Sequence, residues 1–81
     1  MSSGSRDTAI GLLAQVSGRE RSDIRPEMDL VADLGIDSPR ALELLLELEE
    51  ALGVEISDQE ASEMNTVSDV LSFADRAVPT S

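Results

Sequence analysis

Cysteine and histidine are both absent from this chain, and with them go the thiol, the imidazole and the disulfide. No thiolate metal site can form and no covalent staple holds the fold. No obvious general base is present either, so any chemistry requires a group attached from outside. Phe73 is the only aromatic residue, which leaves an aliphatic core built from Leu, Ile, Val, Met and Ala. Lysine is missing too. Six arginines stand against 17 acidic residues, for a formal charge of −11. That sign argues against nucleic acid, because phosphate binding needs the opposite charge, and it points to basic partners. Long apolar runs are also lacking: none approaches the roughly 18 residues of a membrane span. The N-terminus lacks the basic-then-apolar pattern of a signal peptide, so no membrane association and a cytoplasmic location are expected.

What is present fits one small domain. A chain of 81 residues has room for a single core and buries only about 60% of its unfolded surface, so its stability is modest. The small polar stretch Met1 to Ser5 and the tail Val78 to Ser81, with Pro79 in it, read as frayed ends of a domain ordered over about 5–77. Between them the periodicity is helical and no strand is convincing. A first helix is expected from about Ser5 or Asp7 to Ser17, with Ile10, Leu13, Ala14 and Ser17 at i, i+3, i+4, i+7, and Gly18 as its stop.

The connection that follows, Arg19 to Asp37, is long for a compact domain. Its scattered apolar residues Ile24, Met28, Leu30, Val31, Leu34 and Ile36 predict a packed loop, with a short turn near Leu30 to Leu34. Gly35 is expected to supply a backbone conformation that a side chain would hinder.

The clearest element is a second helix from Ser38 to Leu52, ended by Gly53. At roughly 100° per residue, Ala41, Leu45, Leu48 and Leu52 form the centre of its apolar face. Arg40, Glu43, Glu47 and Glu50 lie opposite, and Leu46 is an apolar spot at the rim of the acidic stripe. Ser57 and Glu60 have capping-box spacing for a short helix from about Ser57 to Met64. Thr66 and Asp69 can open a last helix carrying Val67, Val70, Leu71 and Ala74. The fold class is all-α: a small bundle of three main helices and one short one.

Ser38 sits before Pro39, and the pair predicts Ser38 as N-cap with proline at the first helical position. Unpaired N–H groups and a partial positive charge at that end tolerate a phosphate despite the acidic surroundings. On the residues alone, the favoured readings are an ordinary cap for Ser38 and a solvated face for the glutamates. Asp29, Asp33 and Asp37 recur every four residues, but the pattern fails as an EF-hand, which needs ligands at alternate positions, glycine at 6 and glutamate at 12. No metal site is assigned.

The order GIDS, then PRALELLLELEEALGVEI, then SDQEASEMNTVSDVL resembles the acyl carrier protein family, whose hallmark is Gly-x-Asp-Ser-Leu opening a helix with a Glu-Leu pair. Gly35, Asp37, Ser38, Glu43 and Leu44 match, and the similarity runs from about Leu12 to Ala74. The resemblance implies a non-enzymatic carrier whose Ser38, next to Asp37, is esterified with 4′-phosphopantetheine. The donor is coenzyme A, and a separate Mg²⁺-dependent phosphopantetheinyl transferase does the loading. Acyl groups would then ride between enzymes as thioesters, sheltered where the aliphatic interior parts between helices.

The resemblance further implies that loading and processing synthase enzymes dock through basic patches on Asp37, Glu43, Leu46, Glu47 and Glu50. Two positions depart from the family. Pro39 stands where leucine is usual, and Arg40 where an acidic residue is common, both on the surface partners read. They favour a free-standing carrier of a specialised polyketide, nonribosomal peptide or hybrid pathway. A carrier of fatty-acid synthesis, a peptidyl or aminoacyl carrier, and an acidic interaction module that is never loaded remain the alternatives.

Overall fold

The computed structural model describes residues 4–76, so the expected fraying of Met1 to Ser3 and of Val78 to Ser81 lies outside the described residues, while Gly4 and Ser5, expected to fray with them, form the first residues of a helix. Among the described residues four α-helices form: α1 (Gly4–Ser17), α2 (Ser38–Leu52), α3 (Asp58–Ser62) and α4 (Val67–Arg76). Among the described residues there is no strand, only an isolated bridge between Asp29 and Thr66. The expected bundle of three main helices and one short helix is therefore what the chain adopts. No described helix is long and apolar enough to cross a membrane.

Helix α1 starts earlier than Ser5 and buries Ala9, Leu13, Ala14 and Val16. Its inward face is thus turned from the expected one: Ile10 is only partly buried, and Val16 takes the place given to Ser17. Ala9, Leu13 and Val16 meet Leu44 and Leu48 of α2, Val67, Val70, Leu71 and Ala74 of α4, and Leu30, Leu34 and Ile36 of the long connection. Phe73 is buried as well, outside that cluster and beside Met64 in the cleft between α3 and α4. The main core is accordingly all aliphatic.

The connection from 19 to 37 is packed, as its apolar residues require, and it contains a 3₁₀ turn at Arg21–Asp23 that the periodicity does not announce. Arg21 pairs with the Asp7 carboxylate of α1. A helix begins with four N–H groups that lack partners within it, and the connection serves two of those in α4. Val67 N–H donates to the Met28 carbonyl at 2.9 Å and Ser68 N–H to that of Pro26 at 2.9 Å. Thr66 Oγ1 accepts from Asp69 N–H at 3.2 Å, as its capping role predicts. The Asp69 carboxylate in return accepts from the N–H groups of Asn65 and Thr66. Those bonds hold the Asp69 carboxyl below its ordinary range, against a small opposing effect of burial.

The capping box of α3 forms in full. Glu60 N–H donates to Ser57 Oγ at 3.1 Å while Ser57 N–H donates to Glu60 Oε1 at 3.2 Å. Helix α2 ends where Gly53 adopts a left-handed conformation, φ 68°, that a side chain would disfavour.

Candidate functional site

The segment that delivers Ser38 to the surface is built by its own carboxylates. Asp29 Oδ1 accepts from Val31 N–H at 2.8 Å and Ala32 N–H at 2.9 Å, and Asp33 Oδ2 accepts from Asp29 N–H at 2.7 Å. The turn closes at Gly35, whose φ of 67° is the left-handed value expected of it and whose N–H reaches the Val31 carbonyl at 3.0 Å. Leu34 and Ile36, 3% and 1% exposed, are driven into the core on either side of that glycine. With Ile36 anchored, the extended Asp37 leads outward and Ser38 begins α2 at the surface.

The cap of α2 is Asp37, not Ser38. Asp37 has φ −82° and ψ −179°, and its Oδ1 accepts from Arg40 N–H at 3.2 Å, while Ser38 is already the first helical residue and Pro39 the second. Aspartate and serine are equally good caps, and the aspartate comes first in the chain. The Ser38 side chain is therefore released: it is exposed, and its hydroxyl bonds to no other described residue. The expected cradle of unpaired N–H groups is largely spent, since Pro39 has none and Arg40 gives its own to Asp37. A phosphodiester on Ser38 Oγ fits this geometry as an outward projection into solvent at the positive end of α2, with no socket to hold it.

Down the helix, Glu43 and Glu50 are exposed and Glu47 is half-buried, and none of the three carboxylates bonds or pairs with another described residue. Glu49, by contrast, is used internally: its Oε2 accepts from Ile56 N–H at 2.8 Å and fixes the approach to α3. The buried centre of α2 is Leu44 and Leu48, with Ala41 and Leu52 partly buried against the cluster, so the core face is rotated from the one read off the sequence.

That rotation exposes Leu42, 60%, together with Leu46, 52%. The two stand four and eight residues beyond Ser38, one and two turns along the same side of the helix. Leu46 was expected at the rim; Leu42 was missed, although its i+4 spacing from Ser38 was there to be read. Arg40, Glu43 and Glu47 share a face as predicted, but that face borders α1. Together with Gln15, Val16 and Gly18 they line an open cleft at the end of α1, where Arg40 Nη1 donates to the Val16 carbonyl at 3.2 Å.

The described bundle thus places an exposed, unengaged serine at the start of an acidic helix. The chain belongs to the phosphopantetheine attachment site family, whose match spans residues 7–74. An acyl carrier protein from Syntrophobacter fumaroxidans is 39% identical over 64 residues, 79% of each chain. One from Solidesulfovibrio magneticus is 39% identical over 59 residues, 73% of this chain and 76% of its own.

Among solved structures, one from Mycobacterium tuberculosis assigned as an acyl carrier protein superposes with a TM-score of 0.78 at 29% identity, covering 84% of this chain and 90% of that one. The thermally stable acyl carrier protein of Enterococcus faecalis gives 0.67 at 27% identity over 88% of this chain and 99% of its own. Membership makes the protein a carrier and not an enzyme, with covalently attached 4′-phosphopantetheine as its prosthetic group. Its partners are of two general kinds, phosphopantetheinyl transferases and synthase enzymes.

Proposed function

We propose that Ser38 is the attachment residue and that the chain is a single carrier domain working with dedicated partners in a specialised biosynthetic pathway. The observation that carries the assignment is the division of labour at the start of α2: Asp37 takes the capping bond and leaves the adjacent Ser38 hydroxyl exposed and unengaged. When bound, the phosphopantetheine group supplies a terminal thiol on a flexible arm, which this chain lacks.

The chain's own residues present that arm. Ile36 anchors the preceding turn, Asp37 fixes the first turn of α2, and the uncompensated Glu43, Glu47 and Glu50 attract partners with basic patches. Leu42 and Leu46 give those partners an apolar contact in line with Ser38. Exposed pairs are worth about 0.2–1 kcal/mol each. Several together steer encounter and orient a complex that still releases quickly. Pro39 and Arg40, which depart from the family at the loading surface, support partners specialised for this chain.

The test is intact mass after incubation with coenzyme A, Mg²⁺ and broad-specificity phosphopantetheinyl transferases. Wild type should gain one phosphopantetheinyl group and Ser38→Ala none. An unmodified wild type across several transferases, or an equal gain in the variant, would sink the assignment.

A further inference from the structure

The stretch around Ser38 is fastened to one end of α1 from both sides, each time by a guanidinium. Upstream, Arg19 Nη2 donates to the Asp33 carbonyl at 3.0 Å. Downstream, Arg40 Nη1 donates to the Val16 carbonyl at 3.2 Å. Val16 lies in the last turn of α1, where carbonyls have no partner within the helix and carry partial negative charge. Arg40 therefore satisfies a carbonyl that the helix itself leaves open. It does so in preference to Glu43 and Glu47, which line the same cleft and form no ion pair with it. Residues 33 and 40 bracket Ser38 in sequence, so the two straps hold the segment between them against the segment 16–19.

We infer that Arg19 and Arg40 are positioning residues, which hold the Ser38-bearing turn in the orientation that the loading transferase binds. The inference rests on the assignment of Ser38 as the modified residue. It also gives Arg40 a meaning other than a reversed charge on the docking face. A turn that loses a strap spends part of its time in other orientations, and apparent affinity falls by the fraction of time the competent one is lost.

The two meanings of Arg40 predict opposite signs. If Arg40 only adds positive charge to the face that a basic transferase meets, Arg40→Met lowers the KM for the carrier. If it is a strap, the same substitution raises the KM by roughly threefold to tenfold, the scale of one lost hydrogen bond, with little change in kcat. Arg40→Lys, which keeps both charge and donor, then stays within about twofold of wild type, and Arg19→Met follows Arg40→Met.

A second readout needs no transferase: amide hydrogen exchange of the unloaded full-length chain. Gly35, Ile36 and Ala41, whose N–H groups bond on either side of Ser38, should exchange severalfold faster in Arg19→Met and Arg40→Met at a temperature where circular dichroism shows both folded. Arg40→Ala, which likewise has no side-chain donor, serves in place of a methionine variant that fails to fold. A lowered KM in Arg40→Met, or unchanged exchange at these three amides, would overturn the inference. Failure of wild type to load would instead overturn the assignment of Ser38, and the exchange data alone would then decide whether the straps hold the turn.

Discussion

Replacing Asp37 and Ser38 one at a time by alanine should give effects of different size on the same helix end. Asp37 supplies the acceptor for Arg40 N–H, and loss of such a cap costs about 0.5–2 kcal/mol. Its charge at the positive end of α2 adds about 0.3–1 kcal/mol. Because the two contributions overlap, Asp37→Ala should cost about 1–2 kcal/mol. A domain of this length has roughly 4–12 kcal/mol of stability in all, so the variant remains folded near 25 °C. Its Tm falls by about 4–8 °C per kcal/mol. Asp37→Asn keeps the acceptor and loses only the charge, so it should cost about 0.3–1 kcal/mol.

Ser38→Ala removes a hydroxyl with no partner among the described residues and introduces a better helix former, so it should leave stability within about 0.5 kcal/mol of wild type. Thermal and urea melts followed by circular dichroism at 222 nm read all three variants. The reasoning fails if Ser38→Ala is as destabilising as Asp37→Ala, or if Asp37→Ala is neutral, since either result returns the cap to the serine. The outcome also bears on function, because a stable Ser38→Ala makes any loss of loading attributable to the missing oxygen alone.

Reversing Glu43 and Glu47 together to Lys should weaken binding to a cognate synthase partner about tenfold at low salt. The effect should shrink to about threefold or less near 1 M salt, where charges are screened within about 3 Å. Equal affinity at low salt would reject the docking face. Leu48, 0% exposed at the centre of the buried face of α2, should cost about 2–5 kcal/mol on substitution by alanine, as measured by urea denaturation. Asp69 is held below its ordinary value of 3.8 by the N–H groups of Asn65 and Thr66. Its ionised form therefore stabilises the fold above the unfolded pKa, and that contribution is lost as pH falls through the folded value, below 3.8. The stability gap between wild type and Asp69→Asn should be constant near neutral pH and close as acid protonates the wild-type carboxyl.

Local signals were the legible ones. The capping box at Ser57 and Glu60, the cap at Thr66 and the glycines at 18, 35 and 53 are set by bonds within a few residues, and all lie where the sequence places them. The rotation of α2 was not legible. Alanine and leucine at 41, 42, 44, 45, 46, 48, 51 and 52 surround much of the helix, so periodicity alone cannot choose the buried side. Only packing against α1 and the rest of the core cluster selects Leu44 and Leu48 and leaves Leu42 and Leu46 outside.

The cap was ambiguous for a related reason: Asp37 and Ser38 are both good caps in series, and which one acts depends on where the core anchors Ile36. Arg40 reads on a helical wheel as one more charge on a polar face. Its bond to the Val16 carbonyl, 24 residues away in sequence, exists only in the folded bundle. The resemblance at Gly35, Asp37, Ser38, Glu43 and Leu44 points to the family where the bare residues favour an ordinary cap and a solvated helix face.

The two carbonyls that the long connection lends to α4 give that connection a fixed gauge. Pro26 and Met28 must reach Ser68 and Val67 with the main chain, so the side chains of the exposed Arg25 and Glu27 are free to vary while the number of residues between them and Asp29 is not. A peptide tag spliced into this stretch would strip the first turn of α4 of two acceptors and loosen Val67 and Val70 from the core. Swapping the side chains of Arg25 and Glu27 would leave that helix seated. The exposed positions of this stretch are thus open to rewriting in composition, while its length is closed to change.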